Sequence, residues 1–233
     1  MNVRFAVLLA TAAGSVLPLS GTTTADRVVP CGNCGKAVLV QRVGSTSSFG
    51  NMDMDTRPAP PARYLVYNVL QCCTNCGYCA FDVTQTVSSG RLRKALSRRI
   101  LPQTLDERYL WAATLASLGG AGKWDCVAYL LRAAWVADDL GTKQGDRKAR
   151  EYRRQAIRHL REHIQSGSFA RPEHQLLLAD LLRRTGSFDE ALAVVSKLSL
   201  GTGESGRFFE KLACQEAELC RAGDDSARSV KVK

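Results

Sequence analysis

The chain has 233 residues, of which 45% are apolar and 23% are charged, and its net charge at pH 7 is +10. This length allows one or two domains with a substantial core, and the composition excludes a disordered or fibrous protein. Most basic residues are interspersed with acidic ones on predicted helices, which indicates solvated helix faces. Nucleic-acid binding is therefore the less favoured alternative.

The first 25 residues have the features of a signal peptide. Arg4 supplies a positive start, Phe5 to Leu19 is apolar, and Thr23-Thr24-Ala25 is a suitable cleavage site. The apolar stretch is short for a membrane span. We expect export to the periplasm or the extracellular space and no membrane span in the mature chain, with a cytoplasmic protein as the alternative.

Two Cys-x-x-Cys turns are the most informative pattern in the chain. Each has asparagine before its second cysteine and glycine after it, as in Cys31-Gly32-Asn33-Cys34-Gly35 and Cys73-Thr74-Asn75-Cys76-Gly77. Four such thiolates can surround one tetrahedral zinc ion, and glycine permits the sharp bend past the metal. We predict one closed, structural Zn²⁺ site formed by Cys31, Cys34, Cys73 and Cys76. Two disulfides are the alternative, which export favours.

Five further cysteines complete an odd total of nine. Cys79 is a rival ligand, because Cys76-x-x-Cys79 also has a suitable spacing, but Gly77 repeats the pattern of the first turn. We expect Cys79 to be a packed small residue and Cys72 to point to the opposite face of its strand from Cys73. An exported thiol redox or metal-handling protein that uses the Cys72–Cys79 cluster is the main functional alternative. The remaining three are predicted to be core residues on helices: Cys126, Cys214 and Cys220.

Two strands are predicted to hold these turns in a zinc ribbon, namely 37–43 and 64–71. The insertion between them contains Asp53, Asp55 and Arg57 and is followed by prolines. We expect the two carboxylates to pair with Arg57 and with backbone amides in a turn. A site for a hard cation is the alternative, although two carboxylates are few for calcium or magnesium.

From Arg91 onward the spacing of apolar residues becomes helical. The pattern Leu178-Ala179-x-x-Leu182-x-x-x-Gly186-x-Phe188-x-x-Ala191 matches a tetratricopeptide repeat, and Tyr109 to Ala128 is a looser version. The predicted fold is α+β, mainly α, with a small β zinc ribbon followed by a tetratricopeptide-like helical domain. Predicted helices span 91–99, 105–118, 124–140, 147–164, 172–184, 188–198 and 208–222. The predicted organisation is a signal peptide at 1–25, the ribbon at 26–88, the helical domain at 89–222 and a flexible tail at 223–233.

Catalytic patterns are missing from the sequence. His159 and His163 are four residues apart, but the glutamate of an H-E-x-x-H motif does not lie between them. We expect these histidines and His174 to be surface residues. Trp111, Trp124 and Trp135 are predicted to pack between helices. The chain is therefore expected to be a non-enzymatic protein that binds a protein or peptide partner on its helical surface.

These features together resemble the bacterial domain-of-unknown-function 2225 family. The resemblance covers Cys31 to Phe81, including Phe49, Gly50, Asp53, Asp55, Arg57 and Pro58, and the helical part from about Leu105 to Leu198, including Ala134-Trp135 and Asp138-Asp139. Two positions depart from the family pattern, because Gly32 replaces a usual proline and Cys79 a usual small residue. The resemblance implies zinc binding and brings no known activity.

Overall fold

The computed structural model describes residues 22–47, 50–166 and 171–231. The predicted signal peptide up to residue 21 and Phe49 of the insertion lie outside these residues. Within them, the fold is α+β and mainly α, as predicted. None of the helices in these three segments combines the length and the apolar character that a membrane crossing requires.

Each cysteine turn lies at the tip of its own antiparallel hairpin. Strands β1 (Thr22–Pro30) and β2 (Ala37–Thr46) flank the first turn, while the two-residue strands β3 (Gln71–Cys72) and β4 (Cys79–Ala80) flank the second. The last four residues assigned to the signal peptide belong to β1. The rest of β1 pairs with β2 from Asp26↔Gln41 to Pro30↔Ala37.

The strand predicted at 64–71 is wrong. A 3₁₀ helix spans Ala62–Tyr67 instead, and only Gln71 of the predicted strand lies in a strand. Its apolar residues suit either structure, since short apolar runs do not distinguish a strand from a helical segment. Pro61 precedes the helix, and Ala62 and Val66, four residues apart, are buried. As a result β2 pairs with β1, not with this segment.

Seven α-helices follow the ribbon in the described residues, close to the predicted positions. Gly120, whose backbone has the left-handed conformation, ends the second helix, and Pro172 lies in the first turn of the fifth. Neighbouring helices pack against one another in chain order from the second to the seventh. They are α1 (Gly90–Leu96), α2 (Leu105–Gly119), α3 (Lys123–Asp138), α4 (Lys143–Gln165), α5 (Pro172–Arg184), α6 (Phe188–Val195) and α7 (Gly203–Arg221).

One hydrophobic core connects the ribbon region with the helices. Cys79 of β4 and Val66 of the 3₁₀ helix belong to the same buried cluster as the facing sides of α2 to α5. The indole of Trp111 on α2 donates to the carbonyl of Gly77 at 2.8 Å, and the Tyr129 hydroxyl on α3 accepts from the amide of Phe81 at 3.0 Å. The second cysteine turn is therefore held directly by the helices.

The C-terminal segment also packs, which differs from the flexible tail expected at 223–233. Val230 is 8% exposed and contacts a small core with Met54 and Leu212. Backbone hydrogen bonds join Val230 to Met52 and Met54 to Arg228 at 2.9 Å each. The tail through residue 231 thus covers the insertion.

Candidate metal centre

The two cysteine turns have the same backbone hydrogen bonds. In the first, Cys31 N–H donates to Lys36 at 2.9 Å and Gly35 N–H donates to Cys31 at 2.8 Å. In the second, the amides of Cys73 and Gly77 make the equivalent bonds at 2.8 Å each. Both glycines have positive φ, +70° and +77°, where a Cβ is unfavourable. The repeated sequence pattern therefore produces two copies of one turn.

The four predicted ligands converge. The sulfurs of Cys31 and Cys76 are 3.7 Å apart, as are those of Cys34 and Cys73, and all four lie within 4.8 Å of one another. Sulfurs about 2.3 Å from a tetrahedral zinc ion are about 3.8 Å apart. The spacing therefore fits four ligands around one ion, and none of the four forms a disulfide.

Burial disfavours the negatively charged form of these thiols when no cation is bound. It raises the pKa of Cys31 to about 12 and also raises the pKa of Cys76. At Cys34 burial also raises the pKa, but hydrogen bonds from the Lys36 backbone and the Asn75 side chain outweigh it and bring the pKa to about 6. A metal ion compensates the charge of deprotonated thiols, so a group of buried cysteines with this geometry is suited to a metal.

Asn33 and Asn75 each support a cysteine of the opposite turn. Asn75 Nδ2 donates to Cys34 Sγ at 3.4 Å, and the Asn33 side chain hydrogen-bonds to Cys76. Each asparagine thus contacts the second cysteine of the opposite turn. Such contacts orient metal ligands. The role of the asparagines was not predicted, and their repetition in both turns is the signal that the sequence offers for it.

Steric crowding explains why position 32 is occupied by glycine. A Cβ there would lie 1.9 Å from the carbonyl oxygen of Gln85, and the Gly32 amide donates to Val83 at 2.8 Å. Proline, which the resemblance leads one to expect, would bring a side chain and remove this donor. The departure at Gly32 therefore matches the close packing of residues 83–87 on the first turn.

Cys72 and Cys79 form a disulfide in the structure. Cys79 is packed, as expected, and its thiol is joined to Cys72, a bond that the sequence analysis did not predict. The two residues face each other across β3 and β4, and antiparallel partners bring their side chains together. Cys126 and Cys220 are buried on helices as predicted, whereas Cys214 is exposed and does not fit the predicted core position.

The carboxylates of the acidic insertion and Arg57 pair with protein side chains. Asp55 accepts from Trp135 Nε1 and from Arg184 at 3.0 Å each. Arg57 donates its backbone amide to Asp55 at 3.3 Å, as the predicted turn requires, but its guanidinium pairs with Asp139. Asp53 pairs with Arg63. Among the described residues, the four cysteines are the only cluster of three or more such side chains placed for a metal.

Buried charges on the helices complete this network and were missed in the sequence. Arg153 on α4 pairs with Asp138 on α3 and lies 3.7 Å from Asp55. Arg184 on α5 also reaches Asp138, at 3.0 Å. The signal was present, because Arg153 stands at helical spacing from the buried Ala149, where an apolar residue is expected.

Two of the three histidines belong to an aromatic cluster with Trp124. The ring centroids of His163 and His174 are 4.9 Å apart, and His174 is 4.6 Å from Trp124, so this cluster joins α3, α4 and the start of α5. Burial lowers the pKa of His163 and of His159. All three histidines are partly exposed, and within the described residues they are not part of a cluster placed for a metal.

The basic helix α1 lies against the ribbon. Leu92 and Leu96 pack in the buried cluster that contains the candidate zinc ligands. The basic side chains of this helix, Arg91, Arg93 and Lys94, are exposed to solvent.

Comparisons with protein-family models, with curated proteins and with solved structures found no match to the chain. The functional conclusion therefore depends on the geometry above.

Proposed function

We propose that the protein is a non-enzymatic zinc-binding protein in which Cys31, Cys34, Cys73 and Cys76 hold one structural Zn²⁺. This proposal is supported by the distance of 3.7 Å between the sulfurs in each of two pairs across the two turns, Cys31–Cys76 and Cys34–Cys73. A four-thiolate site leaves no open position for a substrate or an activated water. The metal therefore stabilises two hairpins that bury too little apolar surface to fold alone.

The helices provide the second half of the proposed function, a surface for a protein or peptide partner. The α5–α6 hairpin carries the tetratricopeptide-like pattern, and arrays of such hairpins present binding surfaces in repeat proteins. The ribbon is joined to this scaffold through Trp111 and Tyr129. Membership of the domain-of-unknown-function 2225 family and export of the chain are part of the same proposal.

The test is a metal and thiol count on protein purified without chelator. We expect one zinc per chain and four thiols that react only after chelation. The matched variants are Cys34→Ser at the site and Cys214→Ser on the exposed face of α7. The first should lose zinc and the second should retain it. Zinc retained by the Cys34→Ser variant, or absent from the wild type, would contradict the proposal.

A thiol redox function is the second candidate, and the Cys72–Cys79 disulfide favours it. In such a reaction a partner dithiol would give two electrons to this disulfide, which would become two thiols while the partner forms its own disulfide. The rate at which a dithiol protein such as thioredoxin reduces the Cys72–Cys79 disulfide tests this candidate function. Rapid, reversible reduction with zinc retained supports the redox candidate, whereas a disulfide that resists reduction until the protein unfolds is structural.

A further inference from the structure

Two adjoining cavities form a groove along one side of α3. One, of about 340 Å³, lies between α3 and the segment that begins with the 3₁₀ helix. The other, of about 480 Å³, lies towards β2 and Phe81. Val69 and Arg132 line both cavities. We call the joined cavities the α3 groove.

Arg132 lies where the two cavities meet, and its guanidinium is held between aromatic rings. Its Cζ is 4.7 Å from the centroid of Phe81 and 5.6 Å from that of Trp135. Nη1 donates to the carbonyl of Ala128 at 2.8 Å. The ring contacts hold the plane of the guanidinium in place, which prepares its remaining N–H groups for a planar acceptor.

This cation lacks a carboxylate within the described part of the chain. The buried arginines there all have one, and they are Arg57, Arg153, Arg183 and Arg184. Arg132 is half-buried, and its guanidinium stays charged. Burial lowers the pKa of Arg132, because partial removal from water disfavours the charge, so an anion that enters the groove would interact favourably with it.

The charges around Arg132 favour a single carboxylate over a phosphate. Arg63 in the same groove is already paired with Asp53. At the β2 end, Arg42 lies near Asp82, whose pKa is lowered by hydrogen bonds from Thr84. One positive charge is thus left over, which matches one carboxylate.

The length and the walls of the groove favour a peptide over a small anion. Its α3 wall runs from Trp124 to Trp135, about 16 Å at the helical rise. That distance equals about five residues of extended chain. Apolar side chains such as Leu131 and Val66 line it beside the charged group.

We propose that the α3 groove binds an extended segment of a partner protein and that a carboxylate of this segment accepts hydrogen bonds from Arg132. This inference rests on the proposed function, since it names the surface and the chemistry of the partner. Apolar side chains of the segment pack on α3, on either side of the carboxylate.

Selection from a random octapeptide library with neutral flanks tests the proposal on the full-length, zinc-containing protein. We expect selected peptides to share an aspartate or glutamate at one position. Changing that residue to its amide should weaken binding at least tenfold. Arg132→Met should weaken binding by a similar factor and make the amide and the acid bind alike. Arg91→Gln, which removes an exposed positive charge on α1, is the matched control and should bind as the wild type does.

Several results would overturn the groove assignment. These are selection of no peptide, selection without an acidic position, a stronger response to phosphoserine at that position, an acid preference that persists in Arg132→Met, or displacement of the peptide by DNA. If Arg132→Met does not fold, Arg132→Lys replaces it in the test, because lysine keeps the positive charge but lacks the planar guanidinium. Zinc content measured on the same samples separates the two proposals, because zinc-containing protein that binds peptides independently of Arg132 contradicts only this one.

Discussion

At the scale of single residues, the metal centre depends on positions that the cysteine spacing alone does not reveal. The convergence of the four cysteines and the glycines that follow them could be predicted, because both suit a tetrahedral thiolate site. The crowding at Gly32 could not, since it depends on Gln85, which lies fifty-three positions further along the chain. Long-range packing of this kind leaves no periodic trace in the sequence.

Four glycine-to-alanine variants separate crowding from backbone strain. Gly77 has positive φ, and a Cβ there would lie 2.1 Å from the carbonyl oxygen of Ile100, whereas Gly35 has positive φ with open space. We expect Gly35→Ala to lower the free energy of unfolding by about 1–2 kcal/mol from the left-handed conformation alone. Gly77→Ala and Gly32→Ala should cost more because backbone must move. Gly90, at ordinary φ with open space, is the control and should change by less than about 1 kcal/mol. Equal losses at Gly35 and Gly77 in chemical denaturation would contradict the crowding.

Asn75 is expected to tune zinc affinity. Its amide supports the Cys34 sulfur, and the loss of such a partner typically weakens metal binding by about 10–100-fold. We predict a loss in this range for Asn75→Ala, measured by competition with a chromophoric chelator. Asn51→Ala, at an exposed position, is the control and should leave the affinity unchanged. An unchanged affinity for Asn75→Ala would show that the amide does not act on the ligand.

Glu216 on α7 predicts a pH dependence of stability. Burial, followed by the nearby Asp180, raises its pKa from the usual 4.5 to about 7. The folded protein therefore favours the protonated acid, so this stability is fully present below about pH 4.5 and is lost as the pH rises towards 7. Burial also raises the pKa of Asp180, which acts in the same direction, while Arg183 contacts both carboxylates.

The variant that tests this is Glu216→Gln, which remains neutral. The loss between pH 4.5 and 7 amounts to about 3 kcal/mol for one such group. We expect urea unfolding to show a smaller decline over this range in the variant than in the wild type. Glu190→Gln, at an exposed pair with Arg161, is the control. Parallel curves for wild type and Glu216→Gln would contradict the assignment.

At the scale of elements, the helices and strand β2 could be predicted closely, since β2 contains the strand predicted at 37–43, whereas β1, β3 and β4 could not. The bounds of α5 agree with the prediction, because Pro172 at its start and Gly186 after its end are strong local signals. Strand β1 fell partly within the predicted signal peptide, and the 64–71 segment has an apolar run without a decisive period. The docking of the tail on Met54 depends on contacts between distant segments, which local signals do not encode.

The joint between the insertion and the helices is expected to be sensitive to one carboxylate. Asp55 is 1% exposed and contacts Arg184 and Trp135. Removing one partner of a buried ion pair costs about 3–5 kcal/mol, because the other charge remains buried. We predict a loss of this size for Asp55→Asn in thermal or urea unfolding.

An exposed ion pair provides the control for the Asp55→Asn variant. Lys123 and Glu162 are about half exposed, and solvent screens the attraction within such a pair. Glu162→Gln should therefore have a small effect. If the two variants lose similar stability, the buried network does not hold the insertion in place.

At the scale of the whole molecule, the ribbon and the helices pack together through shared buried clusters. The cysteine turns are fixed to α2 through Trp111, the insertion is fixed to α3, α4 and α5 through Asp55, and the tail covers the insertion. The composition predicted the folded class, and the repeated cysteine turns predicted the cluster of four cysteines. The α3 groove could not be predicted, because it arises only when the 3₁₀ helix lies beside α3.

Zinc K-edge X-ray absorption on the purified, full-length protein identifies the atoms bound to the metal. We expect one zinc whose neighbours are four sulfur atoms at about 2.3 Å, with no nitrogen or oxygen ligand. Nitrogen or oxygen atoms bound to the zinc, or a protein without zinc whose Cys31, Cys34, Cys73 and Cys76 are joined in disulfides, would contradict the proposed structural site.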